Sequence, residues 1–333
     1  MATEIRALRE DELETHAALV HASYHEYVVS GERDFLAVPD WWLQSVRADP
    51  YYAPEQTRVM LIDGQMVASV TNYTRQVNVG GRLAKVSCIG SVCTHPNFRK
   101  RGLVRQVLAE SIGWMEHQGY NWSFLFGKEE VYGGSGWTIL ASWNLTADLV
   151  IQDGFGEGLT QRVAVPEQDL PILSSLYNAF NAQRTGPIVR SEDYWRTRIF
   201  PGRFHPTPPY HLIERDGQPI AYWAGGGPSL AEIAWVEQPK DVLAFILRQW
   251  PGQAVSFPLA TRDLIAHLHE ISTVTGYAKV TSRPGGVQLV ETYKGLWRYL
   301  GPGEGQFPEI TDTDSLKRFM RDHEYCFWPE DGF

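Results

Sequence analysis

The chain contains few cysteines. Cys88, Cys93 and Cys326 are the three among 333 residues, and no two of them have C-x-x-C spacing. An odd number without that spacing argues against a disulfide framework and a cysteine-based zinc site. The segment His267-Leu-His269-Glu270 also fails to match HExxH, because on a helix its two histidines would point about 200° apart. These patterns indicate no metal site.

Long hydrophobic runs and an excess of basic residues are also absent. No stretch approaches about 18 consecutive apolar residues, and the segment Met1–Arg6 is charged from the start. We therefore expect neither a membrane-spanning helix nor a secretory signal peptide, but a cytoplasmic protein. Thirty Lys and Arg against 39 Asp and Glu give a net charge of −9. This balance argues against nucleic acid or an anionic membrane as a partner and is compatible with a cationic substrate.

What is present is an ordinary globular composition, with 43% hydrophobic and 21% charged residues. A chain of 333 residues is about the length of two domains. The glycine-rich stretch Asp153–Gly158 has the composition of a boundary, and Asp63-Gly64-Gln65 is echoed by Asp216-Gly217-Gln218. We interpret the chain as a degenerate duplication with domains at 1–152 and 159–333.

Periodicity predicts an α+β fold in each half. Asp-Gly turns between alternating apolar segments are hairpin signals, and the helices show apolar residues at helical spacing. In the first half we predict strands at 3–7, 58–63, 66–74, 83–94, 121–126 and 138–150, and helices at 10–29, 41–46, 102–117 and 129–132. In the second half we predict helices at 167–180 and 312–321, and strands at 210–214 and 219–224.

The segment Arg99-Lys-Arg-Gly102 lies between the strand that ends at Thr94 and the helix that follows. The first N–H groups of a helix have no partner within it and carry the positive end of its dipole. Gly102 lets a ligand approach that backbone, and four cations surround it, namely Arg99, Lys100, Arg101 and Arg105. This arrangement favours a bound pyrophosphate.

Other phosphate-binding motifs fit this chain poorly. It has no GxxxxGK[ST] loop, and the preceding strand belongs to an antiparallel meander rather than to a βαβ unit. The alternative without function is a solvated basic helix start. The order strand, glycine-containing turn, helix favours phosphate binding over that alternative.

These residues resemble the GNAT (Gcn5-related) N-acetyltransferase superfamily. Arg99-x-x-Gly102-x-Val104 matches the family pattern [RQ]xxGx[GA] except at Val104, which crowds the last phosphate position. The segments Arg99–Arg105 and Tyr132-Gly-Gly-Ser-Gly-Trp137 are most similar to those of the bacterial Eis-like enzymes. The resemblance covers about residues 55–140, and it implies two tandem GNAT-like domains, each a mixed, mostly antiparallel sheet flanked by helices. We expect the second domain to be degenerate, because it lacks a counterpart of the basic turn.

The resemblance also implies site residues for acetyl-CoA as co-substrate, without a metal. Backbone groups of Val92, Cys93 and Thr94 would pair with the pantetheine arm, and an N–H there could hold the oxyanion. Tyr132 would protonate the departing thiolate; the alternative is a core tyrosine. The pyrophosphate would be bound by Arg99, Lys100, Arg101, Gly102, Leu103, Val104 and Arg105.

The general base and the acceptor site are less defined by the sequence. In Eis-like enzymes the terminal carboxylate is the base, which makes Phe333 a candidate beside Glu129, Glu130, His95 and water. Trp41 lies in the region that flanks the acceptor in this superfamily, so we assign Trp41 and Glu129 to substrate binding. The Eis-like enzymes normally carry a further lipid-carrier-like domain, and we expect 333 residues to be too few for a complete one. Their substrate range and ring assembly are therefore not transferred, and a homo-oligomer remains open.

The function implied is an acetyl-CoA-dependent N-acetyltransferase acting on a primary amine of a small molecule or a lysine-like acceptor. Direct attack by the amine makes an acyl-cysteine at Cys93 unnecessary. The alternative is a non-catalytic acyl-CoA-binding or regulatory module. Both fit the basic turn, whereas Tyr132 beside a glycine-rich break fits the enzyme alone.

Overall fold

The structure is a computed structural model that describes residues 2–29, 40–202, 206–272, 286–303, 305–328 and 331. The helices are α1 (Leu13–Val29), α2 (Trp41–Arg47), α3 (Leu103–His117), α4 (Glu129–Tyr132), α5 (Pro166–Asn181), α6 (Glu192–Tyr194), α7 (Pro239–Leu247), α8 (Arg262–Ile271) and α9 (Thr313–Asp322). The strands are β1 (Thr3–Ala7), β2 (Thr57–Ile62), β3 (Gln65–Val79), β4 (Arg82–Thr94), β5 (Trp122–Phe126), β6 (Thr138–Asp148), β7 (Leu159–Val163), β8 (Thr185–Ile188), β9 (Tyr210–Arg215), β10 (Gln218–Ala224), β11 (Glu232–Trp235), β12 (Val255–Phe257) and β13 (Gly286–Tyr299).

The first half forms an antiparallel meander that ends in one parallel pair. Its strand order is β1-β2-β3-β4-β5, and β4 pairs with β5 in parallel. The hairpin between β2 and β3 turns at Asp63 and Gly64, whose φ angles are 48° and 82°. An Asp-Gly pair suits this turn because both residues tolerate left-handed backbone. The predicted hairpin is confirmed.

Two apolar layers cover this sheet on opposite faces. One contains α1, α2 and α9 over side chains such as Val86, Cys88 and Phe124. The other contains α3 over the alternate residues, such as Ile89 and Leu125. Neighbouring residues of a strand point to opposite faces, so β4 and β5 supply both layers. The predicted α+β fold, with helices flanking a mixed sheet, is confirmed.

The second half repeats the order of the first. Strands β7, β9, β10 and β11 form an antiparallel sheet in the order β11-β10-β9-β7. Helix α7 then leads to β12, which contacts the segment before β11 through a parallel bridge between Ser229 and Ser256. The sequence β11-α7-β12 thus corresponds to β4-α3-β5.

The two halves exchange their last strands. β13, from the second half, lies between β5 and β6. β6, from the first half, pairs in turn with β12 of the second half. The predicted boundary at Asp153–Gly158 falls between β6 and β7, but strands on its two sides share one sheet. The ranges 1–152 and 159–333 therefore stay a prediction about the repeat and do not describe two separately paired sheets.

Within the described ranges, none of the helices combines the length and the apolar character needed to cross a bilayer. The longest of them, α1, has 17 residues and carries Glu14, His16 and His21.

Candidate functional site

A gap opens where β4 and β5 stop pairing. The parallel register runs from Val86 with Trp122 to Ile89 with Leu125. β4 continues through residues 90–94, beyond its last β5 partner, and pairs on its other side with β3. One edge of this strand end therefore carries backbone groups that β5 does not satisfy.

A β-bulge lies at this strand end. The register with β3 shifts between Ser69 and Thr71, so two residues of β4 stand opposite one of β3. Ser91 takes a φ of 49°, and its hydroxyl lies 3.1 Å from that of Tyr73. A bulge re-aims the groups that follow it, which here are those of Val92, Cys93 and Thr94.

Strand pairing decides which of the three predicted backbone groups face the gap. The His95 N–H donates to the Val67 carbonyl at 2.8 Å, and Cys93 is in register with Ser69. Because antiparallel residues alternate in direction, the N–H of Cys93 points to β3, as that of His95 does. Val92 and Thr94 are left to present backbone groups to the gap.

The Cys93 side chain is buried on the α1 side of the sheet. Its Sγ lies 3.1 Å from Ser69 Oγ, which is 2.7 Å from His16 Nε2. Burial raises the pKa of the Cys93 thiol to about 11 and lowers the pKa of His16 to about 3. Both groups are neutral at pH 7, so this chain of hydrogen bonds does not generate a thiolate.

The start of α3 is open beside the gap. Gly102 is the N-cap, with φ 69°, and Lys100 has φ 63°. In the part of the chain that the structure describes, a Cβ placed on Gly102 would meet no atom within 4 Å. The amides of Leu103, Val104 and Arg105, at the first helical positions, therefore face free space at the positive end of the helix dipole.

A cleft of about 460 Å³ lies at this helix start. It is lined by Thr94, Phe98, Glu130, Val131 and all seven residues from Arg99 to Arg105. The structure thus brings together the predicted phosphate turn, the end of β4 and the α4 segment that precedes Tyr132. The cleft is open to solvent, as a nucleotide tail requires.

The cations of the turn do not all point into this cleft. Arg99 donates from Nη2 to the Ser23 carbonyl of α1 at 2.6 Å. Arg101 stacks on Phe98 at 5.1 Å and donates to the Asn97 carbonyl at 3.4 Å. Lys100, Arg101 and Arg105 are exposed, which leaves their charges able to reach an anion.

Tyr132 lies against the end of β5. Its ring meets Trp137 edge-on at 6.5 Å, and it is half-buried. A Cβ on Gly127, the residue after β5, would come within 2.5 Å of Tyr132 Cε2. The absence of a side chain at Gly127 therefore allows the tyrosine ring to sit beside the gap.

The remaining predicted residues occupy varied positions. Trp41 is half-buried at the start of α2, whereas its neighbour Trp42 is fully buried against His16. Glu129 and Glu130 are exposed on α4. His95 accepts the Asn97 N–H through Nδ1 at 3.3 Å and thereby caps the turn. Phe333 lies outside the described residues.

The C-terminal segment crosses the α1 face of the sheet. Phe327 packs edge-on against Phe124 and Phe126 at 5.7 and 5.6 Å. Phe126, the last residue of β5, keeps 41% of its surface exposed. Asp331 is fully buried and accepts from Arg190 Nε at 2.8 Å. Phe327 thus lies beside the end of β5, and Asp331 is anchored on Arg190.

Sequence reasoning did not identify Gly127, Phe126 or Tyr24 as residues of this region. Tyr24 donates from its hydroxyl to the Val92 carbonyl at 2.9 Å, a contact across 68 positions of sequence. Periodicity places such a residue on a helix face but does not reveal its distant partner. Gly127 did carry a signal, since a lone glycine after a strand often marks a close approach.

Comparison with known proteins agrees with this geometry. A family model described as acetyltransferase (GNAT) domain matches residues 4–140, while a search of curated proteins finds no match. A probable N-acyltransferase from Enterococcus faecalis superposes with a TM-score of 0.66 at 13% identity, over 90% of this chain and 73% of that one. A GCN5-related N-acetyltransferase from Anabaena variabilis gives 0.63 at 12% identity, over 90% and 73%.

Eis1 from Mycobacterium abscessus is also similar, with a TM-score of 0.63 at 13% identity over 89% of this chain and 74% of that one. Identities this low establish the shared fold, including the second half that the family model does not reach. The expected resemblance is confirmed: residues 4–140 match the model of a GNAT acetyltransferase domain, and the chain has the fold of GNAT N-acetyltransferases including Eis1.

Proposed function

We propose that the chain is an acetyl-CoA-dependent N-acetyltransferase that acts on a primary amine of a small molecule or a lysine-like acceptor. The observation that carries the proposal is the adjacency of two open features. Among the described residues, no strand pairs with the end of β4 on its β5 side, and the start of α3 opens on a cleft of about 460 Å³. A linear molecule with an amide-containing arm and a diphosphate matches both at once.

In this proposal the donor lies along β4 and ends at α3. Val92 and Thr94 pair with the pantetheine arm as an added strand would. The amides of Leu103, Val104 and Arg105 bind the diphosphate, and the charges of Lys100, Arg101 and Arg105 surround it. Arg99, Gly102 and Cys93 shape the turn and the strand on which these groups stand.

The chemistry is direct transfer. The neutral amine attacks the thioester carbonyl carbon, and an N–H at the strand end stabilises the oxyanion that forms. The carbon–sulfur bond then breaks, the amide forms, and Tyr132 donates its proton to the departing thiolate. The proton lost by the amine passes to a base, and the thiol of coenzyme A is released.

We propose the terminal carboxylate of Phe333 as that base. The proposal follows the resemblance to Eis-like enzymes; Phe333 itself lies outside the described residues. Glu129 and Glu130 on α4, His95 and water remain the alternatives for this role.

The acceptor is proposed to bind on the α1 face of the gap. Phe126 and Phe327 contribute aromatic surface there, and Trp41 packs on the core of the same face; such rings suit a cation through their faces. Glu129, exposed on α4, is proposed to add a carboxylate for the amine. A net charge of −9 favours the approach of cationic amines, so polycationic amines form the first panel of acceptors.

A thiol-release screen over diverse amines tests the proposal, with Tyr132→Phe as the diagnostic variant. We expect release with at least one class of amine, and a fall in kcat of about 100-fold in the variant because the leaving thiolate loses its acid. Coenzyme A affinity should stay within about twofold by calorimetry, since the diphosphate site is intact.

Gly127→Ala gives an independent variant of the same kind, because its Cβ would displace the Tyr132 ring. Equal kcat in the wild type and in Tyr132→Phe would refute the acid assignment. Saturable binding of acetyl-CoA without thiol release across the panel would instead indicate the non-catalytic module.

A further inference from the structure

Helix α1 contacts the donor strand and the phosphate turn through two consecutive residues. The Tyr24 hydroxyl donates to the Val92 carbonyl at 2.9 Å. The Ser23 carbonyl accepts from Arg99 Nη2 at 2.6 Å. These two contacts connect α1 to Val92, which follows the bulge, and to Arg99, which begins the basic turn.

The direction of the Val92 carbonyl places the Tyr24 hydroxyl in the gap. In a trans peptide the carbonyl of one residue and the N–H of the next point to opposite sides. The N–H of Cys93 points to β3, as the pairing of Cys93 with Ser69 requires. The Val92 carbonyl therefore points away from β3, into the space where β5 no longer pairs, and the hydroxyl that meets it lies there.

This carbonyl belongs to the part of β4 whose geometry most needs support. Ser91 before it holds a left-handed conformation that side chains disfavour, and a bulge removes ladder bonds around it. The Tyr24 hydroxyl supplies a partner from a rigid helix. A carbonyl oxygen has two lone pairs, so Val92 can still accept an amide of a bound arm.

We propose that Tyr24 is a positioning residue of the donor site. Its hydroxyl fixes the strand end that receives the acyl-CoA arm and joins this strand to α1. Arg99 has a similar role, because its guanidinium donates to the Ser23 carbonyl and so connects the phosphate turn to α1. This inference rests on the proposed function, because it assigns a role at the strand edge where that function places the arm.

The role predicts a split between turnover and donor affinity. Affinity for coenzyme A depends mainly on the diphosphate at α3, which Tyr24 does not touch. The position of the thioester against the strand depends on the bulge, which Tyr24 holds. Loss of the hydroxyl should lower kcat about five- to tenfold, the effect of one hydrogen bond, and change the KM for acetyl-CoA less than twofold.

Tyr24→Phe is compared with Tyr51→Phe, a matched control. Tyr51 is also half-buried and also donates its hydroxyl to a backbone carbonyl, that of Val189 at 3.2 Å. That carbonyl lies away from the gap. Tyr51→Phe should leave kcat and KM within about twofold of the wild type, even where it lowers thermal stability.

Amide hydrogen exchange with and without coenzyme A supplies a readout independent of turnover. In the wild type we expect coenzyme A to slow exchange both in peptides that contain residues 90–95 and in peptides from the second half of α1. In Tyr24→Phe the protection of α1 should be lost while coenzyme A still binds.

Three outcomes are distinguishable. A wild type that does not bind coenzyme A would refute the proposed function, and the role of Tyr24 would be refuted with it. A wild type that binds, with Tyr24→Phe unchanged in kcat and in the protection of α1, would overturn the Tyr24 assignment alone. A lower kcat at unchanged KM together with lost protection supports it.

Discussion

Helices α3 and α7 begin at corresponding points of the two halves, yet their starts differ in chemistry. Both N-cap residues are left-handed, Gly102 with φ 69° and Gln238 with φ 49°. Three cations precede α3, from Arg99 to Arg101, whereas Glu237 precedes Gln238 and Pro239 opens α7. Proline has no N–H to offer an anion.

One side of α7 also packs closely against Gly156 of its own protein. The Gly156 N–H donates to Asp241 Oδ1 at 2.7 Å, and a Cβ on Gly156 would come within 3.0 Å of the Phe245 backbone nitrogen. A Cβ on Gly102, by contrast, would meet no atom of the described residues within 4 Å. The same strand–turn–helix topology therefore opens on a basic cleft in one half, whereas in the other half an acidic residue and a proline stand at the turn.

The largest expected effect comes from removing charge at the two helix starts. Arg101→Gln combined with Arg105→Gln should weaken coenzyme A binding about 100-fold, because charge-assisted contacts to phosphate are lost. Lys240→Gln at α7 should leave the affinity unchanged. Calorimetry at several salt concentrations checks this, since the wild-type affinity should fall with salt more steeply than that of the double variant. An equal loss of coenzyme A affinity in the double variant at α3 and in Lys240→Gln at α7 would show that the contrast between the two helix starts is irrelevant to binding.

An exchange of the two N-cap residues should have a smaller effect. Gly102→Gln places a side chain in the cleft and in left-handed backbone, so we expect about tenfold weaker coenzyme A binding. Gln238→Gly relieves the same backbone at α7 and should stabilise the protein by about 0.5–1 kcal/mol without altering that binding. Calorimetry measures the affinity for coenzyme A, and urea unfolding measures the free energy of unfolding. Tight binding by Gly102→Gln would mean that the ligand does not approach this backbone.

The smallest effect concerns acid stability, which should differ between helices α1 and α5. Burial lowers the pKa of His16 in α1 to about 3. Near pH 6.5 the unfolded chain therefore binds a proton at this histidine, whereas the folded chain does not. Stability then falls with acid, by about 1 kcal/mol between pH 6.5 and pH 5.5. In α5, the bonds from Arg162 lower the pKa of Asp169, and its contribution is lost only below about pH 4.

Urea unfolding of the wild type and of His16→Gln across this pH range tests the difference. The variant should be less stable at pH 7, but its free energy of unfolding should change less between pH 6.5 and pH 5.5 than that of the wild type. Identical slopes in the two proteins would exclude His16 as the source of acid sensitivity.

Local sequence signals were sufficient to predict much of the first half. Asp63-Gly64 marks a hairpin, and the apolar spacing after Gly102 predicts α3. Both are confirmed, α3 within one residue, although β3 extends to Val79 instead of Thr74. These features depend on neighbours in sequence, where turn chemistry and periodicity act. The Asp216-Gly217 hairpin of the second half was predicted on the same grounds, and it too is confirmed.

The strand exchange could not be predicted in this way. β13 lies between β5 and β6 through pairs such as Leu296 with Leu125, and no local pattern specifies which strand fills that position. The same limit applies at the site. The sequence indicates that Arg99 is a cation near a helix start, but its partner, the Ser23 carbonyl, is 76 positions away. Long-range contacts decide what such a side chain does.

The most direct test of the central claim is a crystal structure of the chain with coenzyme A. We expect one molecule per chain, with its diphosphate on the amides of Leu103–Arg105 and its arm along Val92 and Thr94, and none at α7. A diphosphate bound elsewhere, or a start of α3 that stays empty at saturating coenzyme A, would contradict the account.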